Sequence, residues 1–220
     1  MNITKHWAGM LDDYVIDLAW SPDGSRLAAA ATSGPVTLMD AAAGAVVHHL
    51  SGHAHGTNVI AWQPDTTGDG QRENSSPSLP PPAASRLILA TGGQDGAVRF
   101  WDAATGTQTA VAAVGSAWVE HLCWRHQAPG TRLQTEPTSN PKPDASLLAS
   151  DASGLTPILF AAAGRKLVAL NVGGSVVQRF MDTPKSISAL ALADISPAAS
   201  PTPPAPNPRL AAAYFGGVCL

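Results

Sequence analysis

The sequence predicts an all-β fold built from one small unit that recurs along the chain. Asp95-Gly96 lies between two strand-like segments and is a strong signal for a tight hairpin, because glycine tolerates the positive φ of a type I′ turn. The pentapeptide DAAAG at 40–44 returns as DAATG at 102–106. Four apolar six-residue segments share one pattern, and three of them end in tryptophan: 15–20, 57–62, 119–124 and 187–192. Such repetition predicts an array of one supersecondary unit, and arrays of this kind mostly bind partners.

Each unit is expected to hold four short strands, which together form one blade of a β-propeller. The six-residue segments are the first strands. Second strands open with Arg-Leu at 26–27, 86–87 and 209–210, and the second strand of the third unit is predicted at 157–163. Third strands are predicted at 36–39, 97–101, 167–170 and 217–220, and fourth strands at 46–50 and 176–180.

These strands define one partial propeller over residues 1–220, with units at about 14–50, 57–112, 119–180 and 187–220. Three inserts interrupt the joint between first and second strands, and they hold 15 of the 19 prolines: 63–85, 126–156 and 195–208. Such segments carry too little apolar surface to offset the entropy of ordering, so we expect disorder there, on one face of the disc. They are either tolerated loop expansions or, through PPPAA and PTPPAP, ligands for a proline-reading domain.

The second unit resembles the WD-repeat (WD40) β-propeller family. The resemblance rests on Gly52-His53 before the first strand, Asp95-Gly96 in the hairpin and Trp101-Asp102 at the end of the third strand. It implies a structural tetrad of hydrogen-bonded side chains within the blade: His53, Thr91, Asp95 and Trp101. Histidine can donate from one nitrogen and accept at the other, tryptophan only donates, and an ionised aspartate only accepts, so these residue types can form one chain of hydrogen bonds.

The other units depart from this pattern. In the first unit, Met10 is expected near the histidine position, Ala31 at the threonine position and Met39 at the tryptophan position. The third unit has Leu170-Asn171 in place of Trp-Asp, and the fourth has Tyr214 where threonine is expected. One blade therefore matches the family pattern well and three are degenerate.

About three and a half to four blades are expected, and the resemblance implies a fragment of a seven-bladed ring. A truncated or alternatively spliced product would explain this, and residues 3–7 could then supply a fourth strand to a last blade. The alternative is a half-ring that pairs with a second copy into a closed ring of roughly seven or eight blades. The exposed strand edges of an open arc also favour self-association.

Composition favours a protein partner. The net charge is −3, and the 13 lysines and arginines are scattered, so no basic footprint for nucleic acid is present. The amino-terminal sequence lacks the pattern of a signal peptide, and no apolar run reaches the roughly 18 residues of a membrane span, so we expect no membrane association and a cytoplasmic location. The two cysteines, Cys123 and Cys219, fall in predicted strands and weakly favour a reducing compartment.

The residues do not predict catalysis. No nucleophile elbow, zinc-protease helix or phosphate loop occurs, and the Gly-Gly pairs at 92–93, 173–174 and 216–217 are interpreted as turn residues. His53 and His55 lie near His48 and His49, but the first is assigned to the tetrad and the last two to an outer strand, so we expect no metal or cofactor. The acidic group formed by Asp12, Asp13 and Asp17 is either a solvated loop or a contact for a basic partner.

The sequence therefore favours a non-catalytic scaffold for protein–protein interaction, contacting its partner through loops such as 51–57 and 92–96 or through the inserts. One alternative is a propeller enzyme, or a binder of a small ligand or metal in the central channel. This enzyme or ligand-binding hypothesis requires several His, Asp or Glu side chains that converge on the channel from the first strands. Here the first strands consist mostly of Val, Ile, Leu and Ala. The other alternative is a nonfunctional truncated product.

Overall fold

The computed structural model describes residues 6–64, 86–125, 157–180, 182–193 and 209–219. Within those ranges the chain forms fifteen strands in four antiparallel sheets. The three predicted inserts lie almost wholly outside the described residues. Nowhere in the described part does a helix have the length and apolar character needed to cross a bilayer.

Each sheet is a meander of hairpin-connected strands, here called a blade. Blade 1 consists of β1 (Val15–Trp20), β2 (Arg26–Ala31), β3 (Val36–Asp40) and β4 (Val46–Leu50). Blade 2 consists of β5 (Thr57–Trp62), β6 (Ile88–Gly93), β7 (Ala97–Asp102) and β8 (Thr107–Ala113). Blade 3 consists of β9 (Val119–Arg125), β10 (Ile158–Ala163), β11 (Lys166–Asn171) and β12 (Val176–Arg179). Blade 4 has β13 (Ile187–Ala193), β14 (Arg209–Tyr214) and β15 (Gly217–Cys219).

The blades are arranged side by side, with their first strands innermost. β5 packs against β1 on one side and against β9 on the other, and β13 packs against β9. The predicted all-β architecture of four-stranded antiparallel blades is thereby confirmed. Strand alternation places one set of side chains on each face of a blade, so every inner blade can bury both faces against its neighbours.

The core lies between the blades. Between blades 1 and 2, Ala28, Ala30 and Leu38 meet Ile60 and Trp62 in one buried cluster. Equivalent clusters lie between blades 2 and 3 and between blades 3 and 4. Burying a large apolar side chain contributes about 1.5–3 kcal/mol, so these three clusters supply much of the stability of the fold.

One sequence alignment is corrected by the strand register. The Arg-Leu dipeptides do not occupy equivalent positions, because Leu27 pairs with Trp20 whereas Leu89, and not Leu87, pairs with Trp62. Arg86-Leu87 therefore precedes β6. Both arginines nevertheless form the same kind of ion pair: Arg26 Nη1 lies 3.2 Å from Asp40 Oδ2, and Arg86 Nη2 lies 3.1 Å from Asp102 Oδ2. The Arg-Leu dipeptide thus recurs because both arginines form this ion pair, although their positions in the two blades differ by two residues.

The connections divide between the two ends of the blades. The β2–β3 type of hairpin and the loops that lead into the next blade lie at one end, which we call the hairpin end. Val15, the first residue of β1, pairs with Ala31 at this end. The chain leaves the first strand of each blade at the opposite end, where Trp20 pairs with Leu27. The strand ends that border the three inserts all belong to this opposite end.

Two loops approach closely at the junction of blades 1 and 2. The amide of His53 donates to Gly34 O at 3.3 Å, and the hydroxyl of Thr57 donates to the same carbonyl. Gly52 has φ of +63°, and a Cβ there would lie 1.7 Å from Gly34 O. The glycine at 52 is therefore required by both its backbone conformation and the available space.

Replacing Gly52 by alanine should destabilise the protein more than replacing Gly24. Both residues have positive φ, but a Cβ on Gly24 would meet no atom within 4 Å, whereas one on Gly52 would overlap backbone. The conformational penalty, roughly 1–2 kcal/mol, is common to both variants, so their difference reports the steric overlap. Urea denaturation of Gly52→Ala and Gly24→Ala measures that difference, and equal free energies of unfolding would contradict the proposed close approach.

Candidate functional site

The four side chains assigned to a tetrad lie in one chain of hydrogen bonds in blade 2. His53 is 3% exposed and lies in the loop between β4 and β5. Its Nδ1 is 2.8 Å from Asp95 Oδ1 in the β6–β7 hairpin, and its Nε2 is 2.8 Å from Thr91 Oγ1 on β6. Trp101 Nε1 on β7 donates to the same threonine oxygen at 3.1 Å. The chain therefore ties a loop, a strand, a hairpin and a second strand together.

The chemistry of these groups fixes the direction of each hydrogen bond. An ionised Asp95 can only accept, so His53 Nδ1 carries the proton and donates to it. His53 Nε2 then accepts from the hydroxyl of Thr91, whose oxygen accepts from the indole of Trp101. Each polar side-chain atom of the tetrad that lies in this series of hydrogen bonds has a partner. This is the condition for burying such groups without a large free-energy penalty.

The surroundings favour neutral His53 and ionised Asp95. Burial of the imidazole lowers the pKa of His53, and the hydrogen bond and charge of Asp95 offset this only in part. Burial also disfavours the charged form of Asp95, but hydrogen bonds from His53 and Arg99 outweigh it and hold the pKa of the carboxyl below its ordinary value. Arg99 Nη2 lies 3.0 Å from Asp95 Oδ2, and the amide of Ala97 donates to Asp95 Oδ1 at 3.2 Å.

Gly93 provides the space that His53 occupies. A Cβ at this position would lie 2.2 Å from Cγ of the His53 ring. The prediction that the pair 92–93 falls at a turn is wrong, because both glycines belong to β6. Gly92 would also place a Cβ 2.5 Å from the Val119 side chain of blade 3. Sequence reasoning missed this role, although two adjacent glycines at the end of a strand do indicate close approach by another group.

The equivalent positions of the other blades are apolar. The register places Ala29 and Ala212 where Thr91 stands in blade 2, so the earlier assignments of Ala31 and Tyr214 are wrong by two residues. The cause is the Arg-Leu alignment described above. In blade 1, Leu11 packs against Leu27, Ala29 and Met39, while Met10 is 97% exposed and does not take the histidine position. An apolar cluster therefore replaces the hydrogen-bonded chain in blade 1.

Two carboxylates, Asp13 just before β1 and Asp17 within it, cap backbone amides. Asp13 accepts from the amides of Tyr14 at 2.7 Å and Ser33 at 2.6 Å, and hydrogen bonding from Ser33 lowers the pKa of its carboxyl. Asp17 accepts from Leu18 N and, across the blade junction, from Ile60 N, each at 2.9 Å. These two carboxylates thus hold the hairpin end of blade 1 to its own strands and to blade 2.

Large apolar side chains are exposed at the hairpin end. Tyr14 immediately precedes β1 and is 83% exposed, and Trp118 immediately precedes β9 and is 52% exposed. Phe215 lies in the β14–β15 hairpin and is 87% exposed. Met10 lies in the segment that leads to β1. Exposed aromatic side chains that share one end of a fold are typical of a docking surface.

The histidines do not form a metal site in the described part of the chain, where no three His, Cys, Asp or Glu side chains lie close enough to share an ion. His48 Nε2 is 3.1 Å from Ala104 O, and His49 Nδ1 is 3.4 Å from Thr37 Oγ1. His53 is enclosed by the tetrad. This buried chain has the properties of a structural support, because no side of the imidazole faces solvent where a substrate could bind.

Two protein-family models match the chain. The model described as "WD domain, G-beta repeat" matches residues 44–102, which include the whole tetrad. The model described as "Anaphase-promoting complex subunit 4 WD40 domain" matches residues 1–65. The comparison with curated proteins gives no match.

Solved structures share the fold at low sequence identity. The computationally designed Ika4 protein aligns over 100% of this chain and 97% of its own, with a TM-score of 0.63 and 13% identity. The WD40 repeats of RRP9 align over 83% of this chain and 43% of theirs, with a TM-score of 0.55 and 16% identity. The corresponding values for U3-55K are 83%, 43%, 0.56 and 16%. The chain thus spans less than half the length of the latter two, and these likenesses establish the propeller fold alone.

Replacing Asp95 by alanine should destabilise blade 2. The change strands the Nδ1 proton of buried His53, and an unsatisfied buried polar group costs about 1–3 kcal/mol. Urea denaturation measures the loss, and the exposed Asp12→Ala variant is the control, with an expected change of less than about 0.5 kcal/mol. An unchanged melting temperature in Asp95→Ala would argue against a supporting role for the tetrad.

Stability should fall as the pH drops below about 6.5, in part through His53. Because its pKa in the folded protein lies below the ordinary value of 6.5, the unfolded chain binds more protons in this window. This one group can then contribute a slope of up to about 1.4 kcal/mol per pH unit. The free energy of unfolding is measured from pH 7.5 to 5.0 for the wild type and for His53→Gln. The variant should lose less stability over this range, and parallel curves would exclude His53 as the source.

Proposed function

Since the chain belongs to the WD-repeat β-propeller family, we propose that it is a non-catalytic scaffold that binds another protein through the hairpin end of its blades. WD repeats generally mediate protein–protein interaction, and domains of this family are typically non-catalytic. The observation that carries the proposal is the exposure of Tyr14, Trp118 and Phe215 at one end of three different blades. Tyrosine and tryptophan are the side chains that most often dominate the energetics of protein interfaces.

The backbone beneath these side chains is well supported. Tyr14 follows Asp13, whose carboxylate accepts from two amides, and the carbonyl of Tyr14 accepts from the amide of Thr32 at 2.9 Å. Trp118 precedes Val119, which is fully buried between blades 2 and 3. Anchors presented on such a backbone lose little conformational freedom on binding, and this lowers the free-energy cost of association.

The partner we propose is a protein within a larger assembly. Support comes from the match of residues 1–65 to a domain named for a subunit of a multi-protein complex. The proposed partner is neither nucleic acid nor membrane, since the scattered basic residues offer no phosphate-binding footprint. We also propose the cytoplasm as the location, which the low cysteine content of the chain favours.

Affinity purification of the tagged protein from its native cells tests this function. The double variant Tyr14→Ala/Trp118→Ala should lose at least tenfold of a co-purifying protein, because truncating an aromatic anchor commonly costs 2 kcal/mol or more. The matched control is Val111→Ala/Val177→Ala, which removes two exposed apolar side chains from the outer strands β8 and β12. Circular dichroism confirms that each variant is folded. Equal recovery of the same proteins by all three chains would refute docking at the hairpin end.

A further inference from the structure

The blades of this chain meet through one contact that is made twice. Trp62 Nε1 of blade 2 donates to Ala19 O of blade 1 at 2.9 Å. Trp124 Nε1 of blade 3 donates to Ala61 O of blade 2 at 3.1 Å. Both indoles are buried, at 8% and 6% exposure. In each case a tryptophan on the front face of one blade packs on the back face of the preceding blade, against Ala28 and Ala30 at the first junction and against Phe100 at the second.

Blade 1 carries the same front face, and no blade within the described residues packs against it. Trp20 is equivalent to Trp62 and Trp124 in the strand register, yet it is 57% exposed. Leu18 is equivalent to Ile60, and their exposures are 57% and 5%. Trp7 and Leu11 cover only the part of this face formed by β2 and β3. Within the part of the chain that the structure describes, the β1 side of blade 1 therefore presents an uncovered copy of the surface that blades 2 and 3 bury.

Blade 4 carries the complementary back face. Ala191 is equivalent to Ala19 and Ala61, the two residues that accept the indole hydrogen bonds, and it is exposed. Beside it on the same face lie Ala211, Ala213 and Val218, and the last of these is 65% exposed. The back face of blade 1 is likewise lined by small side chains, Ala28 and Ala30, which blade 2 buries completely. Blade 4 thus offers the kind of surface that Trp20 and Leu18 fit.

The amino-terminal residues take the place of a fourth strand from a preceding blade. His48 of β4 places its Nε2 3.1 Å from Ala104 O in the β7–β8 turn of blade 2. His6 places its Nε2 2.9 Å from Ala42 O, the equivalent atom in the β3–β4 turn of blade 1. Trp7 Nε1 adds a hydrogen bond of 2.8 Å to Ala41 O. Relative to blade 1, then, this segment lies where β4 lies relative to blade 2.

Blade 4 is the sheet that such a segment would complete. It has three strands in the described part of the chain, and β15 forms its edge. An exposed edge strand offers unpaired amides and carbonyls to another strand. Two halves of one interface are therefore present. One half consists of the front face of blade 1 and the amino-terminal segment beside it, and the complementary half consists of the back face and the edge of blade 4.

We propose that two copies of this chain associate head to tail, each seating the front face of its blade 1 on the back face of blade 4 of the other. Trp20 Nε1 then donates to Ala191 O of the second copy, and His6 and Trp7 lie beside β15 of that copy, on the side where a fourth strand would pair. A twofold axis makes this contact twice, so both open faces of both copies are buried and the assembly closes. The described residues of two copies form eight blades, a number within the range that propellers adopt. A second copy is the occupant because both complementary halves lie on this one chain.

Light scattering of purified residues 1–220 after size exclusion tests the proposal. The expected mass is about 45 kDa, twice the 22.5 kDa of one chain. The front-face variant Trp20→Glu and the back-face variant Ala211→Glu should each run as a monomer, whereas Val111→Glu, a change at an exposed position on β8, should remain a dimer. Circular dichroism confirms that each variant is folded. A wild-type monomer, an assembly of three or more copies, or dimers of both face variants would overturn the proposal.

Mixing the two face variants separates head-to-tail pairing from other dimers. In a mixed pair, one of the two interfaces joins both substituted faces, and the other joins two wild-type faces. The mixture should therefore recover a fraction of dimer that neither variant forms alone. A symmetric dimer that pairs front face with front face gives no such recovery, and failure to recover would overturn the proposal. The substituted positions lie away from Tyr14 and Trp118, so this result is independent of the proposed docking function.

Discussion

Packing between neighbouring blades is the constraint on which the rest of the structure depends. A single four-stranded antiparallel sheet of this length has two apolar faces and can bury neither alone. Here the conflict is resolved by an asymmetry of size: Ile60 and Trp62 on the front of blade 2 fit against Ala28 and Ala30 on the back of blade 1. The indole of Trp62 also donates a hydrogen bond to Ala19 O, which links the front face of blade 2 to the backbone of β1. The small side chains of β2 leave room for Trp62 at this junction, whereas the back face of blade 2 presents Phe100, whose ring meets that of Trp124 edge to face.

The tetrad supports the loop that leads into blade 2. The loop before β5 must turn sharply at Gly52 and still leave no buried polar atom unpaired. His53 meets both demands, since its ring fills the space above Gly93 and both of its nitrogens have partners. In blade 1 the equivalent space is filled by Leu11 against Ala29, so apolar packing can substitute for the hydrogen bonds. Asp95 is the charged group on which this part of blade 2 depends, because its carboxylate contacts both His53 and Arg99.

The sequence predicted the strands because they have local signals, whereas the four tetrad positions were implied by the resemblance to the WD-repeat family. Alternation of apolar residues, Asp95-Gly96 and the recurring DAAAG-type turn each specify a short piece of backbone, and the order of these pieces specifies a meander. The alignment of equivalent residues between blades has no such local signal. Aligning the Arg-Leu dipeptides gave the wrong register, because an arginine can form the ion pair to Asp40 or Asp102 from two different positions. The roles of Gly92 and Gly93 depend on Val119 and His53, which are distant in sequence. The exposure of Trp20 could not be predicted from the sequence either, since a first-strand tryptophan gives the same sequence pattern whether or not a blade covers it.

The side chains that hold the fold and those left for a partner are separate sets, even where they are adjacent in sequence. Asp13 caps two amides while Tyr14, the next residue, extends into solvent; Val119 is fully buried while Trp118, the residue before it, is half exposed. This separation lets the hairpin end change its exposed residues without disturbing the packing beneath them, because the supporting contacts are made by backbone atoms and by the neighbouring side chains. A surface of this kind is suited to recognition. Its specificity rests on a few aromatic anchors, and its geometry rests on the packing between blades.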